Sequence, residues 1–152
     1  MALRQIVTDE EFLRKKCKPV EKFDEKLHTL LDDMAETMYK TNGVGLAAIQ
    51  VGVLRRVVVI DVEDENGLIE LINPEIIKTS GTQDGQEGCL SFPKQFGDVK
   101  RPKKVVIRAF DRYGKQFEIK GEDLLARAFC HETDHLDGKV FVDLARDLHF
   151  ID

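Results

Sequence analysis

Cysteine is scarce in this chain. The three present, Cys17, Cys89 and Cys130, are odd in number and widely spaced. They make no disulfide framework, and a reducing, cytoplasmic location is the expectation. Long apolar runs are missing too: nothing approaches the ~18 residues of a membrane-spanning helix. The opening MALRQIVTDEEF lacks the apolar stretch of a secretory signal and holds too many acids for a transit peptide. Positive charge is not in excess. The 28 acidic residues outnumber the 23 basic ones for a net charge of −5, which argues against direct nucleic-acid binding. Repeats, low-complexity tracts and linkers are also lacking. What remains is 42% hydrophobic and 34% charged, a globular mix. The length suits one domain over residues 1–152.

Periodicity places the elements. Thr8-Asp9-Glu10-Glu11 reads as a capping box opening a short helix. Residues 24–41 form a longer one: Asp24 caps it, Leu27, Leu30, Leu31, Met34 and Met38 recur at helical spacing, and Asn42-Gly43 end it. Strands are expected at 56–62, 68–72, 105–110 and 116–120, the last two joined as a hairpin. A final helix covers about 122–136 and stops at Asp137-Gly138. Strands in succession predict an α+β fold with antiparallel sheets rather than a doubly wound one.

The final helix carries His131-Glu132-Thr133-Asp134-His135. Residues i and i+4 share a helix face, so both imidazoles can aim at one metal ion. Glu132, one step round, reaches a water on that ion without ligating it. The bland alternative is an amphipathic helix with surface His and Glu. Leu124, Leu125, Ala128 and Phe129 make the helix largely buried instead, and buried histidines and glutamates need partners.

Two histidines leave a third ligand to find. The metzincin extension fails because Phe141 stands where its last His belongs. No Glu follows Glu132, so a downstream glutamate is excluded, leaving late aspartates or an upstream residue. Cys130 neighbours His131 and points about 100° away. Cys17 lies in the charged KKCKP and reads as half-exposed, and His28 and His149 as surface residues. Cys89, in EGCLSFP, is the best remaining candidate, although alone it would read as a buried core thiol. Three protein ligands keep a position open for water, whose pKa the ion can lower toward ~7.

The glycine-rich GVGLAAIQVG, residues 43–52, follows a helix rather than a strand, so it is a poor dinucleotide fingerprint. Its glycines suit a ligand lying against backbone. Gln50 is a polar residue in an apolar run and needs a partner if buried.

Together GVGLAAIQ, EGCLS and HETDH, in this order, resemble the three motifs of the peptide deformylases, which remove the formyl group from the initiator methionine of nascent chains. The likeness covers roughly residues 2–145. It implies antiparallel sheets packed around a central HExxH helix. It implies that Cys89, His131 and His135 bind one divalent metal, with iron(II) the working ion and zinc, nickel or cobalt possible in purified protein. Glu132 would be the general base and acid in attack by the metal's water on the formyl carbon. The Gln50 side chain and the Leu90 N–H would bind the formyl oxygen.

By the same likeness, Gly43, Val44, Gly45 and Gly88 would line the substrate groove, where the peptide adds as a strand. Leu124 and Ala128 would shape the methionine pocket. Arg127 shares their face and either reaches the pocket mouth or is solvated. The partners implied are N-formylmethionyl nascent chains; the short stretch after Val142-Asp143 gives no support for ribosome docking, and no membrane is involved. Two other readings stand beside this one: a related amidase acting on another small N-acyl substrate, and a non-catalytic domain with a structural metal. Glu132 and Gln50 argue against the second, since a structural site needs neither.

Overall fold

Val57, Val58, Val59 and Ile60 are all buried, which is why this short strand has no polar face. Successive side chains on a strand point to opposite sides. Val58 and Ile60 enter one apolar cluster, while Val57 and Val59 enter another. The strand therefore divides two cores.

The computed structural model describes residues 2–151. Its helices are α1 (Glu10–Leu13), α2 (Glu25–Lys40) and α3 (Asp123–Leu136). Its strands are β1 (Gly45–Ala47), β2 (Val57–Ile60), β3 (Ile69–Ser80), β4 (Gln83–Cys89), β5 (Phe92–Arg101), β6 (Lys104–Phe110), β7 (Gln116–Glu122) and β8 (Arg146–Phe150). Neighbouring strands pair antiparallel in two sheets, one ordered β1-β2-β3-β6-β7 and the other β4-β5-β8. This is the expected α+β class. No helix among the described residues is long and apolar enough to cross a membrane.

Helix α2 forms where its periodicity predicts. The Asp24 side chain accepts from the Leu27 N–H at 3.1 Å, and Leu31, Met34 and Met38 pack against Val57, Val59 and Ile72. Asn42 follows in the left-handed region at φ 58°, a conformation asparagine tolerates after a helix end. Helix α3 lies on the opposite face, with Leu125, Ala126 and Phe129 against Val58, Ile60 and Ile107. It ends at Leu136, as expected. Gly138 has φ 76°, and a Cβ there would lie 2.3 Å from the Arg14 carbonyl, so chain closure over α1 requires glycine.

Several expectations need correction. Helix α1 is capped by Asp9, not Thr8, because the Asp9 carboxylate reaches the Glu11 N–H at 3.0 Å. The strand expected at 68–72 runs on to Ser80 through irregular pairing at Ile72–Glu75, where Asn73 has φ 52° and Pro74 has no N–H to donate. Cys17 is buried, not half-exposed: its lysine neighbours stay outside while its N–H donates to the Leu136 carbonyl. His28 is partly buried, its Nε2 2.8 Å from the Arg112 carbonyl oxygen.

Candidate metal centre

The β4–β5 hairpin delivers Cys89. Cys89 pairs with Phe92 across a turn at Leu90-Ser91, with a register shift at Gly88/Cys89. That shift ends the strand with the thiol facing α3. The Cys89 Sγ lies 3.3 Å from His135 Nε2, and one donor atom each from Cys89, His131 and His135 fall within 4.8 Å of one another. The two imidazole centroids are 5.1 Å apart, as one helical turn dictates.

The residues fit a metal. A tetrahedral ion with bonds of ~2.0–2.3 Å holds its ligand atoms about 3.3–3.6 Å apart; the Cys89–His135 pair has that spacing at 3.3 Å, and all three donors lie within 4.8 Å. The His131 Nδ1 is 2.9 Å from Glu87 Oε1, which fixes the tautomer and leaves Nε2 for the ion. The His135 ring and the Glu132 carboxylate are buried, yet His135 Nδ1 and Glu132 Oε1 have no hydrogen-bond partner among the described residues. Cys17 and Cys130 lie outside the group, and burial pushes both thiols up to about 11, so they stay protonated at neutral pH.

Glu132 stands beside this group. Its Oε2 is 4.0 Å from His131 Nε2, and a Cβ on Gly45 would lie 2.7 Å from the same oxygen. Only glycine lets strand β1 approach so closely. Burial raises the Glu132 carboxyl to about 7; His131 opposes the rise and Glu87 adds to it. Burial also lowers His135, helped by His131 and Arg101. It lowers His131 as well, but there Glu132, Cys89 and Glu87 outweigh it and raise the ring overall.

Gln50 sits in the 3-10 turn after β1. Its Oε1 accepts from the Ala47 N–H at 3.0 Å, which turns its Nε2 toward Cys89 Sγ at 3.4 Å and Ser91 Oγ at 3.2 Å. The polar residue in the apolar run thus has its partners, and its amide donor faces the metal group.

Beside this group opens a cavity of about 450 Å³. Gly43, Val44, Gly45, Gln50, Gly88, Cys89, Leu90, Leu124, Ala128, His131 and Glu132 all line it, so every site residue expected from sequence is in one place except His135, buried behind. Leu124 and Val44 are half-exposed at its rim.

Three residues at or behind this wall, Glu87, Arg101 and Ser91, escaped the sequence reading. Glu87 accepts from Arg101 Nε and Nη2 at 2.8 and 2.9 Å, and from Arg127 Nη1 at 2.6 Å. Burial alone would raise Glu87, but Arg101 and His131 hold it well below the usual carboxylate range. Arg101 also reaches Asp134 at 2.7 Å. Of the two alternatives for Arg127, the solvated one fails: the residue is 8% exposed, lines the cavity and bonds Glu87 and the Val99 carbonyl. Ser91 is fully buried against Gln50. The signal available was the charge of Glu87 beside a candidate ligand, since a buried ligand histidine needs an acceptor behind it.

Two histidines of an HExxH helix joined by a cysteine from the β4–β5 hairpin, with a carboxylate and an amide donor beside one cavity, define a metal-dependent hydrolase. The polypeptide deformylase model matches residues 3–150. The peptide deformylase of Caldicellulosiruptor bescii is 60% identical over 144 residues, covering 94% of this chain and 86% of that protein. That of Thermoanaerobacter pseudethanolicus is 58% identical, covering 100% and 94%. The crystal structure of a peptide deformylase from Legionella pneumophila superposes with a TM-score of 0.91 at 50% identity, covering 95% of this chain and 87% of that one. The chain belongs to the polypeptide deformylase family, metal-dependent hydrolases that remove the N-formyl group from nascent chains.

Proposed function

We propose that Cys89, His131 and His135 hold one divalent ion, that Glu132 is the general base and acid, and that Gln50 and the Leu90 N–H bind the formyl oxygen. The observation that carries this reading is convergence: the Glu132 carboxylate, its Oε2 4.0 Å from His131 Nε2, and the Gln50 amide donor, 3.4 Å from Cys89 Sγ, meet the donor set among the residues that line one cavity. A purely structural metal would need neither. The bound ion would supply Lewis acidity and make a water acidic enough to ionise near neutral pH. Glu132 accepts the proton of the attacking water and returns it to the departing amine. Its neighbours support the task, since burial disfavours the anion while a cation in the site opposes that shift. Gln50, held at Oε1 by the Ala47 N–H and at Nε2 by Ser91, would turn its second Nε2 donor from Cys89 Sγ to the oxygen on which charge develops.

The substrate would be an N-formylmethionyl nascent chain, extended between the Gly43–Gly45 segment and Gly88 and Leu90, with its methionine side chain toward Val44, Leu124 and Ala128. Iron(II) would be the working metal, replaceable by nickel, cobalt or zinc, since the affinity order favours zinc over iron. The whole chain would act as one hydrolase domain in the cytoplasm.

The experiment is formate or acetate release from matched peptides. A formyl carbon presents only hydrogen on its far side, whereas acetyl adds a methyl. Where the buried Gln50, Ser91 and Glu132 bound the reacting position, a displacement of ~1 Å costs about a hundredfold. Formyl-Met peptides should therefore exceed acetyl-Met peptides in kcat/KM by at least that factor. Comparable rates would replace the deformylase reading with the broader amidase one.

A further inference from the structure

Arg127 projects from α3, one turn before His131, into the wall of the cavity. Its Nη1 makes both of its hydrogen bonds, to Glu87 Oε2 at 2.6 Å and to the Val99 carbonyl at 3.0 Å. Its Nε and Nη2 make none among the described residues, and neither is among the sealed polar atoms that lack a partner. The residue is nearly buried and lines the cavity, so the opening left to those donors is the cavity. Gly85 on β4 leaves room beside Nη2: a Cβ there would lie 3.2 Å from it. The charge itself is compensated by Glu87, which Arg101 also binds in bidentate fashion, so the guanidinium is a fixed donor rather than a stray ion.

A pocket of Val44, Leu124 and Ala128 would accept any slim apolar side chain. A guanidinium edge in its wall changes that. A thioether sulfur is a weak acceptor, a sulfoxide oxygen is a strong one, and a hydrocarbon tip is neither. Accepting the proposed function, we propose that Arg127 is a specificity-determining residue: its free donor edge gives the side-chain pocket a polar end that receives an acceptor atom, so chains beginning with formyl-methionine sulfoxide are substrates as well. The reaction is unchanged. Water adds its hydroxyl to the formyl carbon, the C–N bond breaks, formate leaves and the amine takes the proton.

The test compares kcat/KM for formyl-Met, formyl-norleucine and formyl-methionine-sulfoxide peptides in the metal-loaded protein. The wild type should turn over the sulfoxide peptide within about tenfold of the methionine one. Arg127→Leu should lower the sulfoxide-to-methionine ratio by roughly ten- to a hundredfold, the worth of one hydrogen bond to a charged group, and should raise norleucine relative to methionine. Gly85→Ala covers Nη2 while leaving the Arg127–Glu87 pair in place, so it carries the test if Arg127→Leu does not fold. It should shift the ratios the same way. Rates that change in proportion for all three peptides, or a wild type that rejects the sulfoxide more than a thousandfold, overturn the role of Arg127 alone. No formate from the formyl-Met peptide would instead overturn the underlying reading of the site, and this inference with it.

Discussion

The two faces of the five-stranded sheet are built on different principles. On the α2 face, Leu27, Leu31, Met34, Met38, Val57, Val59 and Ile72 form a cluster of hydrocarbon and thioether groups. Its stability needs only exclusion of water. On the α3 face an equally buried region contains Glu87, Arg101, Arg127, His131, Glu132 and His135. Buried ions of this kind are weak evidence for stability and stay tolerable only while each has its partner. The difference separates the scaffold from the machinery. Mutations on the first face should act on folding, those on the second on chemistry and metal content.

The sharpest break of that comparison is Cys89→Ala. It should abolish bound metal and activity together, while Cys130→Ala and Cys17→Ala keep both, measured by metal analysis beside formate release. An empty site in Cys130→Ala with a full one in Cys89→Ala would reverse the ligand assignment. Next in size is Glu132→Gln, which keeps the shape and removes the proton acceptor. Turnover should fall by about 10²–10⁴ with metal content near wild type, and a variant retaining most of its rate would overturn the role of Glu132. The smallest effect on chemistry belongs to the other face. Leu31 is fully buried against β2 and β3, so Leu31→Ala should cost about 2–5 kcal/mol in denaturant unfolding. Turnover per folded molecule should hardly move; a large loss of kcat would mean that the two faces are coupled.

Legibility followed the same divide. Helices α2 and α3 were readable because their apolar residues recur at 3.6 spacing between recognisable ends, β2, β3 and β6 because they are rich in β-branched residues, and β7 because Phe117 and Ile119 alternate with polar residues after a turn. Strands β4, β5 and β8 were not. Gln83–Cys89 reads QDGQEGC, and of these only Glu87 is buried, so no apolar alternation marks it. Every residue of β8 is exposed. A small sheet that buries little leaves little periodicity behind. The short β1 was hidden in a segment whose glycines pointed to a ligand rather than to a strand.

By itself the sequence determined the α+β class, the helix that sets two imidazoles on one face, and the candidate third ligand, because these rest on local spacing and on the small number of residues able to bind a metal. Only the tertiary structure decided what stands behind them. Glu87 meets Arg101 across 14 positions, Arg127 across 40 and His131 across 44. No periodicity records such encounters; they exist because the hairpin bearing Glu87 and Cys89 folds onto α3, where a buried charge must find every partner inside the protein.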